Sequence, residues 1–133
     1  MARISLDPPQ LDPELRDLAV MAAAATIGCA WCMDFGYWGA TVNHAVPAEK
    51  TGGRPDRRGS RFFSDLELLV MEYAEAMTAT PPRVTDAMVE ALGQHLSEAQ
   101  LVELAAVIAV ENLRSRISSA LGPAEIHGHT PRL

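Results

Sequence analysis

The hydrophobic residues of the chain recur at helical spacing, and polar capping residues mark where the helices begin. Ser64-Asp65-Leu66-Glu67 has the capping-box pattern, with serine at the N-cap and glutamate three residues later. The apolar positions behind it follow the i, i+3, i+4, i+7 spacing of an amphipathic helix: Leu66, Leu69, Val70, Tyr73, Ala74 and Met77. The pattern predicts a helix that begins after Ser64 and ends at Thr80-Pro81-Pro82.

Start and stop signals predict two further helices. Asp12-Pro13-Glu14 offers an acidic N-cap, a proline at the first helical position and an acid in the first turn. That helix runs through an alanine-rich stretch to Ile27, and Gly28 marks its end. Thr85-Asp86 opens a shorter helix that ends near His95.

The longest helical pattern lies near the C-terminal end of the sequence. Ser97-Glu98-Ala99-Gln100 is a second capping box, and Gly122-Pro123 stops the helix after Leu121. Residues 105–110 are apolar all round, so we expect this helix to be central or to be covered by a second subunit. Because no segment alternates like a strand, the predicted fold class is all-α, with about five to six helices.

Composition and charge narrow the class of protein. The 133 residues suffice for one domain, 1–133, and 48% hydrophobic with 21% charged residues excludes intrinsic disorder. The longest strong apolar run, Leu18 to Ile27, is far shorter than the ~18–20 residues of a membrane span. The N-terminus lacks the apolar core of a secretory signal, so we expect a cytoplasmic protein with no membrane partner. Eleven basic against 17 acidic residues give a net charge of −6, which argues against nucleic-acid binding.

Both cysteines fall in one short motif, Gly28-Cys29-Ala30-Trp31-Cys32. Cysteines three residues apart on a helix lie on one face, close enough for a reversible disulfide, and a helix N-terminus would lower a thiol pKa. Core packing is the plainer alternative, since free cysteines are often buried. Half of a zinc site is disfavoured, because no other cysteine exists and no histidine lies at ligand spacing. We therefore favour redox chemistry and expect no metal and no cofactor.

Other polar and aromatic residues have two possible roles each. Trp31 and Phe35 lie beside the thiols and would either pack the core or form the apolar wall of a substrate pocket. Glu111, Arg114 and Arg116 near the end of the last helix would either make intersubunit ion pairs or form a solvated face.

The chain resembles the carboxymuconolactone decarboxylase-like superfamily of all-α proteins, which includes AhpD of the alkyl hydroperoxidase system. The resemblance covers most of the chain, and only its CxxC segment is chemically specific. It rests on Arg16-Asp17-Leu18, Gly28 to Gly36, Phe63-Ser64-Asp65, Ala74 to Thr78, Leu101 to Leu104 and Glu111 to Arg116.

The resemblance implies roles for the motif residues. It makes Cys32 the attacking thiol and Cys29 the resolving one, although the position of Cys29 nearer a helix N-terminus would by itself favour that thiol. Asp17 stands where the family has an acid twelve residues before the first cysteine, and would act as a base or orient a thiol. The alternative for Asp17 is an ordinary acid near a helix N-terminus. Gly36 occupies the position of the family's relay histidine, so thiol activation would come from elsewhere.

Three functions remain open from the sequence. The first is a homo-oligomeric, AhpD-like thiol oxidoreductase, trimeric or hexameric as the resemblance implies, that reduces an organic peroxide or a disulfide partner and is recycled by a thiol reductant protein. The second is a non-redox lyase or isomerase that acts on a lactone or carboxylate. The third is a binding homologue without catalysis.

Overall fold

A computed structural model describes residues 9–33, 50 and 62–121, and this part of the chain is helical, without strands. Its helices are α1 (Pro13–Ile27), α2 (Asp65–Thr78), α3 (Asp86–Gly93) and α4 (Glu98–Leu121). Residues 30–33 and Lys50 are also helical. The predicted all-α fold is confirmed, whereas the proposed stop at Gly122-Pro123 lies outside the described residues.

The helices begin at the residues that their capping patterns predict. Asp12 accepts a hydrogen bond from the backbone N–H of Glu14, 2.8 Å away, and proline occupies the first helical position. Both capping boxes form: Ser64 pairs reciprocally with Glu67 and Ser97 with Gln100. These side chains satisfy backbone donors that a helix N-terminus would otherwise leave unpaired.

The core lies where α1 packs against α2 and α4. Ala19 and Ala22 to Ala24 of α1 are fully buried, and their small side chains let the neighbouring helices approach closely. The fully buried large side chains come from all four helices: Leu18, Val70, Leu92, Leu104 and Ile108. A second, smaller buried cluster forms at the C-terminal end of α1, and it contains both cysteines.

A buried carboxylate, Glu103 of α4, holds the segment that precedes α1. Its Oε2 accepts the backbone N–H groups of Gln10 and Leu11 at 2.6 and 3.0 Å, and its Oε1 accepts Arg16 Nη2 at 2.9 Å. Burial would raise the pKa of Glu103, but these hydrogen bonds and the Arg16 charge outweigh burial and lower it below 4.5. Glu103 thereby fixes the start of α1 against α4.

A lysine ion-pairs with both α1 and α2. Lys50 Nζ lies 2.7 Å from Glu14 Oε1 and 2.8 Å from Glu67 Oε1. Burial opposes the charged form of Lys50, but hydrogen bonds and charge attraction from the two glutamates outweigh it and raise the lysine pKa. The two ion pairs join the N-terminal turns of the two helices.

Candidate active site

A left-handed glycine turns the chain from α1 into the cysteine motif. Gly28 has φ +83°, a conformation that L side chains rarely adopt. The backbone N–H groups of Gly28 and Cys29 both donate to the carbonyl of Ala24, at 2.9 and 3.1 Å. This reversal places Cys29 directly before the helical turn of residues 30–33 and against the last turns of α1.

The two cysteines form a disulfide at the start of this turn. Cys29 and Cys32 are bonded, with their Cα atoms 5.3 Å apart, and the backbone N–H of Cys32 donates to Cys29 Sγ at 3.3 Å. Their side chains are only 4% and 3% exposed, and Ala24, Trp31 and Met33 pack around them. The motif therefore brings both sulfurs together in a small apolar cluster, with Cys29 at the position of an N-cap.

One polar side chain of α4, Ser115, lies against the disulfide, and a second, Glu111, is hydrogen-bonded to Ser115. Ser115 Oγ lies 3.5 Å from Cys32 Sγ and 3.0 Å from Glu111 Oε1. Ser115 is fully buried and Glu111 is 2% exposed, so the expectation that Glu111 lies on a solvated face is wrong. Arg116, by contrast, is exposed and donates to Thr80 Oγ1.

The periodicity of α4 explains why Glu111 is buried. Leu104, Ile108, Glu111 and Ser115 follow the i, i+4, i+7, i+11 spacing of a single helix face, and all four are buried. A polar residue within an apolar stripe is the sequence signal that could have identified Glu111 and Ser115 as site residues. Sequence reasoning missed Ser115 and assigned Glu111 by its charge alone.

The buried carboxyl of Glu111 has an altered acidity. Burial raises the pKa of Glu111, and the charge of Arg114 and the hydrogen bond from Ser115 oppose that shift without cancelling it. Arg114 Nη1 lies 3.7 Å from Glu111 Oε2. A carboxyl with a raised pKa exchanges protons closer to neutral pH than an exposed glutamate does.

The other predicted site residues are placed differently. Trp31 is half-buried against the cysteine cluster. Asp17 is half-buried on α1, seven residues before Ala24, which corresponds to about 10 Å along the helix axis on nearly the same face. Its role as base or orienting acid stays a prediction. Phe35 and Gly36 lie outside the described residues.

The described residues contain neither a metal-binding cluster nor a membrane-spanning helix. No group of three or more histidine, cysteine, aspartate or glutamate side chains there could hold a metal ion. None of the described helices combines the length and the apolar character that crossing a bilayer requires.

Comparison with known proteins agrees with this fold and motif. The model of the carboxymuconolactone decarboxylase family matches residues 1–51. The uncharacterized protein YnjA of Escherichia coli (strain K12) is 38% identical over 117 residues, which cover 84% of this chain. The chain spans 60% of the length of YnjA.

Solved structures share the fold at low sequence identity. The apo debrominase Bmp8 has a TM-score of 0.80 at 24% identity, covering 92% of this chain and 66% of Bmp8. A protein of unknown function from Agrobacterium tumefaciens, suggested to be the antioxidant defence protein AhpD, has a TM-score of 0.78 at 21% identity. That match covers 87% of this chain and 82% of the Agrobacterium protein.

The described residues have an all-α, AhpD-like fold and carry a CxxC disulfide. Residues 1–51, which include the CxxC motif, match the carboxymuconolactone decarboxylase family model, and this match together with the shared fold confirms the resemblance seen in the sequence.

Proposed function

We propose that the protein is a thiol-dependent oxidoreductase of the AhpD type, which uses Cys29 and Cys32 to reduce a small peroxide or a disulfide. The observation that carries this proposal is the bond between the two cysteines at the start of a helical turn. A pair that served only as core filling would not need a bonded geometry, a neighbouring hydroxyl and a buried acid.

The reaction balances with the dithiol as two-electron donor. The Cys32 thiolate attacks a peroxide oxygen, the O–O bond breaks, and the departing alkoxide takes a proton to become an alcohol. The resulting sulfenic acid is attacked by the Cys29 thiolate, so the disulfide forms and hydroxide leaves as water after protonation. An external dithiol, small or carried by a protein, then reduces the disulfide.

The surroundings of the thiols support distinct roles for them. The Cys32 N–H that points at Cys29 Sγ would stabilise a Cys29 thiolate, as helix N-termini do. The Ser115 hydroxyl, by contrast, lies beside Cys32 Sγ. Family resemblance assigns the first attack to Cys32, and we retain that assignment, with Asp17 as a second candidate acid or base.

The burial of the cysteines and the exposed face of α4 support the proposed substrate size and assembly. Because both sulfurs are almost wholly covered, the pair favours small molecules, and Trp31 and Phe35 are the proposed apolar wall. Helix α4 also exposes large apolar side chains at intervals of eleven, four and four residues, on neighbouring parts of one helix side: Val102, Leu113, Ile117 and Leu121. Such a face is typical of a subunit interface, so a homo-oligomer, trimer or hexamer, in the reducing cytoplasm is part of the proposal.

Peroxide consumption by the dithiol-reduced protein tests the proposal. We expect turnover by the wild type and by Ala30→Ser, a control that adds a hydroxyl at an exposed position inside the motif. Cys29→Ser and Cys32→Ser should each abolish turnover, and Cys32→Ser should also abolish sulfenate trapping. Undiminished peroxide reduction in both cysteine variants would exclude the proposal.

The substrate panel separates the alternatives. It includes hydrogen peroxide, organic hydroperoxides, a lactone, and a bromopyrrole, the last because a Bmp8 variant was crystallised with a tribromopyrrole. Cysteine-independent conversion of the lactone would indicate a lyase, and binding without any conversion would indicate a non-catalytic homologue.

A further inference from the structure

The polar groups of α4 offer the cysteine pair a proton path that the motif itself lacks. We propose that Ser115 carries protons between Cys32 and Glu111, so that the buried carboxyl is the acid–base group of the redox site. The role of this relay in catalysis rests on the proposed function. The proton transfer itself does not, because it can be measured during reduction of the disulfide without peroxide.

The distances fit a relay through one hydroxyl. Ser115 Oγ is within reach of both Glu111 Oε1, at 3.0 Å, and Cys32 Sγ, at 3.5 Å. A serine hydroxyl has one proton to donate and lone pairs to accept another. It can therefore receive a proton from the carboxyl while it gives its own to the sulfur, and the reverse exchange uses the same two contacts.

Burial makes Ser115 the most direct route for a proton to reach Cys32 Sγ. Cys32, Ser115 and Glu111 are each no more than 3% exposed, so bulk water has little access to the sulfur. The charged group in contact with Glu111 is Arg114, on the same helix. Residues 20–27 of α1 include no ionisable side chain, and Thr78 at the end of α2 accepts a hydrogen bond from Asn112 Nδ2.

The proton has a defined place in each half of the cycle. During oxidation, the Cys32 thiol gives its proton through Ser115 to the Glu111 carboxylate, and the thiolate attacks the peroxide. During reduction, a thiolate of an external dithiol attacks Cys29 Sγ, the disulfide breaks, and Cys32 leaves with the electron pair. The neutral Glu111 carboxyl then protonates that sulfur through Ser115. Ser115 touches the reacting sulfur, whereas Glu111 acts through Ser115.

The test measures the rate at which dithiothreitol reduces the Cys29–Cys32 disulfide, across pH and normalised to the dithiothreitol thiolate. We expect Ser115→Ala and Glu111→Gln each to slow reduction by about tenfold or more, since positioned acids contribute at least that much. Both should also remove the pH dependence that the wild type shows around the raised Glu111 pKa. Because the two residues act in series, the double variant should be no slower than either single variant.

Two controls separate the relay from general disturbance. Glu103→Gln removes another buried carboxylate of α4, well away from the cysteines, and should keep the wild-type rate and pH profile. Ser115→Thr keeps the hydroxyl and should restore most of the rate lost in Ser115→Ala. Unchanged rates in Ser115→Ala and Glu111→Gln, or additive losses in the double variant, would overturn the relay. If the variants behave as expected but the wild type does not reduce peroxide, the proposed function is wrong and the relay stands.

Discussion

The Glu103 carboxylate is expected to be a main source of stability in the N-terminal half of the fold. Replacing it by alanine removes the shared acceptor of the Gln10 and Leu11 amides and of Arg16, which pair with it at 2.6, 3.0 and 2.9 Å. The neighbours of Glu103 in the core would then contact a cavity and unpaired donors. Gln100 Nε2 of α4 also donates to the Gln10 carbonyl at 3.0 Å and ties the same segment to α4.

The size of the loss follows from the solvent access of each partner. Breaking a buried ion pair by removing one member costs about 3–5 kcal/mol. The Glu103 side chain is 3% exposed but that of Arg16 is 30% exposed, so water can solvate part of the guanidinium. We therefore expect Glu103→Ala to lower the free energy of unfolding by about 3 kcal/mol, at the low end of that range. Glu103→Gln keeps the shape and one acceptor, and should cost about 1–2 kcal/mol.

Urea denaturation across pH tests this reasoning. Because the pKa of Glu103 is lowered on folding, its charged form contributes stability above its ordinary value of 4.5, and that contribution is lost as pH falls through the folded pKa. The gap between wild type and Glu103→Gln should therefore be full near neutral pH and should close in acid. Glu98→Gln, an exposed acid on the same helix, is the matched control and should change little. A gap that persists unchanged in acid, or a loss below about 1 kcal/mol for Glu103→Ala, would refute the reasoning.

Three further predictions concern the helix junctions and the site. Gly28→Ala should cost about 1 kcal/mol in urea denaturation because φ +83° is strained for alanine, although its Cβ would meet open space, and an unaffected variant would contradict that account. Lys50→Met should lower stability by about 1 kcal/mol at low salt and less at high salt, since it removes two partly exposed ion pairs, and a salt-independent loss would indicate packing instead. Glu111 stabilises the fold mainly while neutral, because its pKa is raised: that stability is present below 4.5 and is lost as pH rises through the folded pKa. Glu111→Gln should therefore gain stability relative to wild type as pH rises, and the opposite trend in denaturation midpoints would contradict the raised pKa.

The local features of the fold could be predicted from the sequence because their causes are local. A serine and a glutamate three residues apart make a capping box wherever a helix begins, and Gly28 meets the demand of a left-handed C-cap. The burial of Glu103 and Glu111 could not be predicted from the sequence, because its causes are not local. Their burial depends on partners far away in the sequence, such as Arg16 for Glu103 and Cys32, through Ser115, for Glu111.

The two cysteines are chemically different, and this difference bears on which of them attacks the peroxide. The Cys32 N–H points at Cys29 Sγ, so Cys29 has a hydrogen-bond donor that would stabilise its thiolate. Cys32 lacks that donor but has Ser115 and, behind it, a carboxylate made more basic by burial. A thiol that must lose its proton before each attack needs a base. The proposed relay would supply that base to Cys32, and it favours the proposed assignment of Cys32 as the attacking thiol even with Gly36 at the position where the resemblance implies a relay histidine. The test treats each single-cysteine variant with peroxide and traps the resulting sulfenic acid with dimedone. If Cys29 in Cys32→Ser is labelled as fast as Cys32 in Cys29→Ser, that division of roles is wrong.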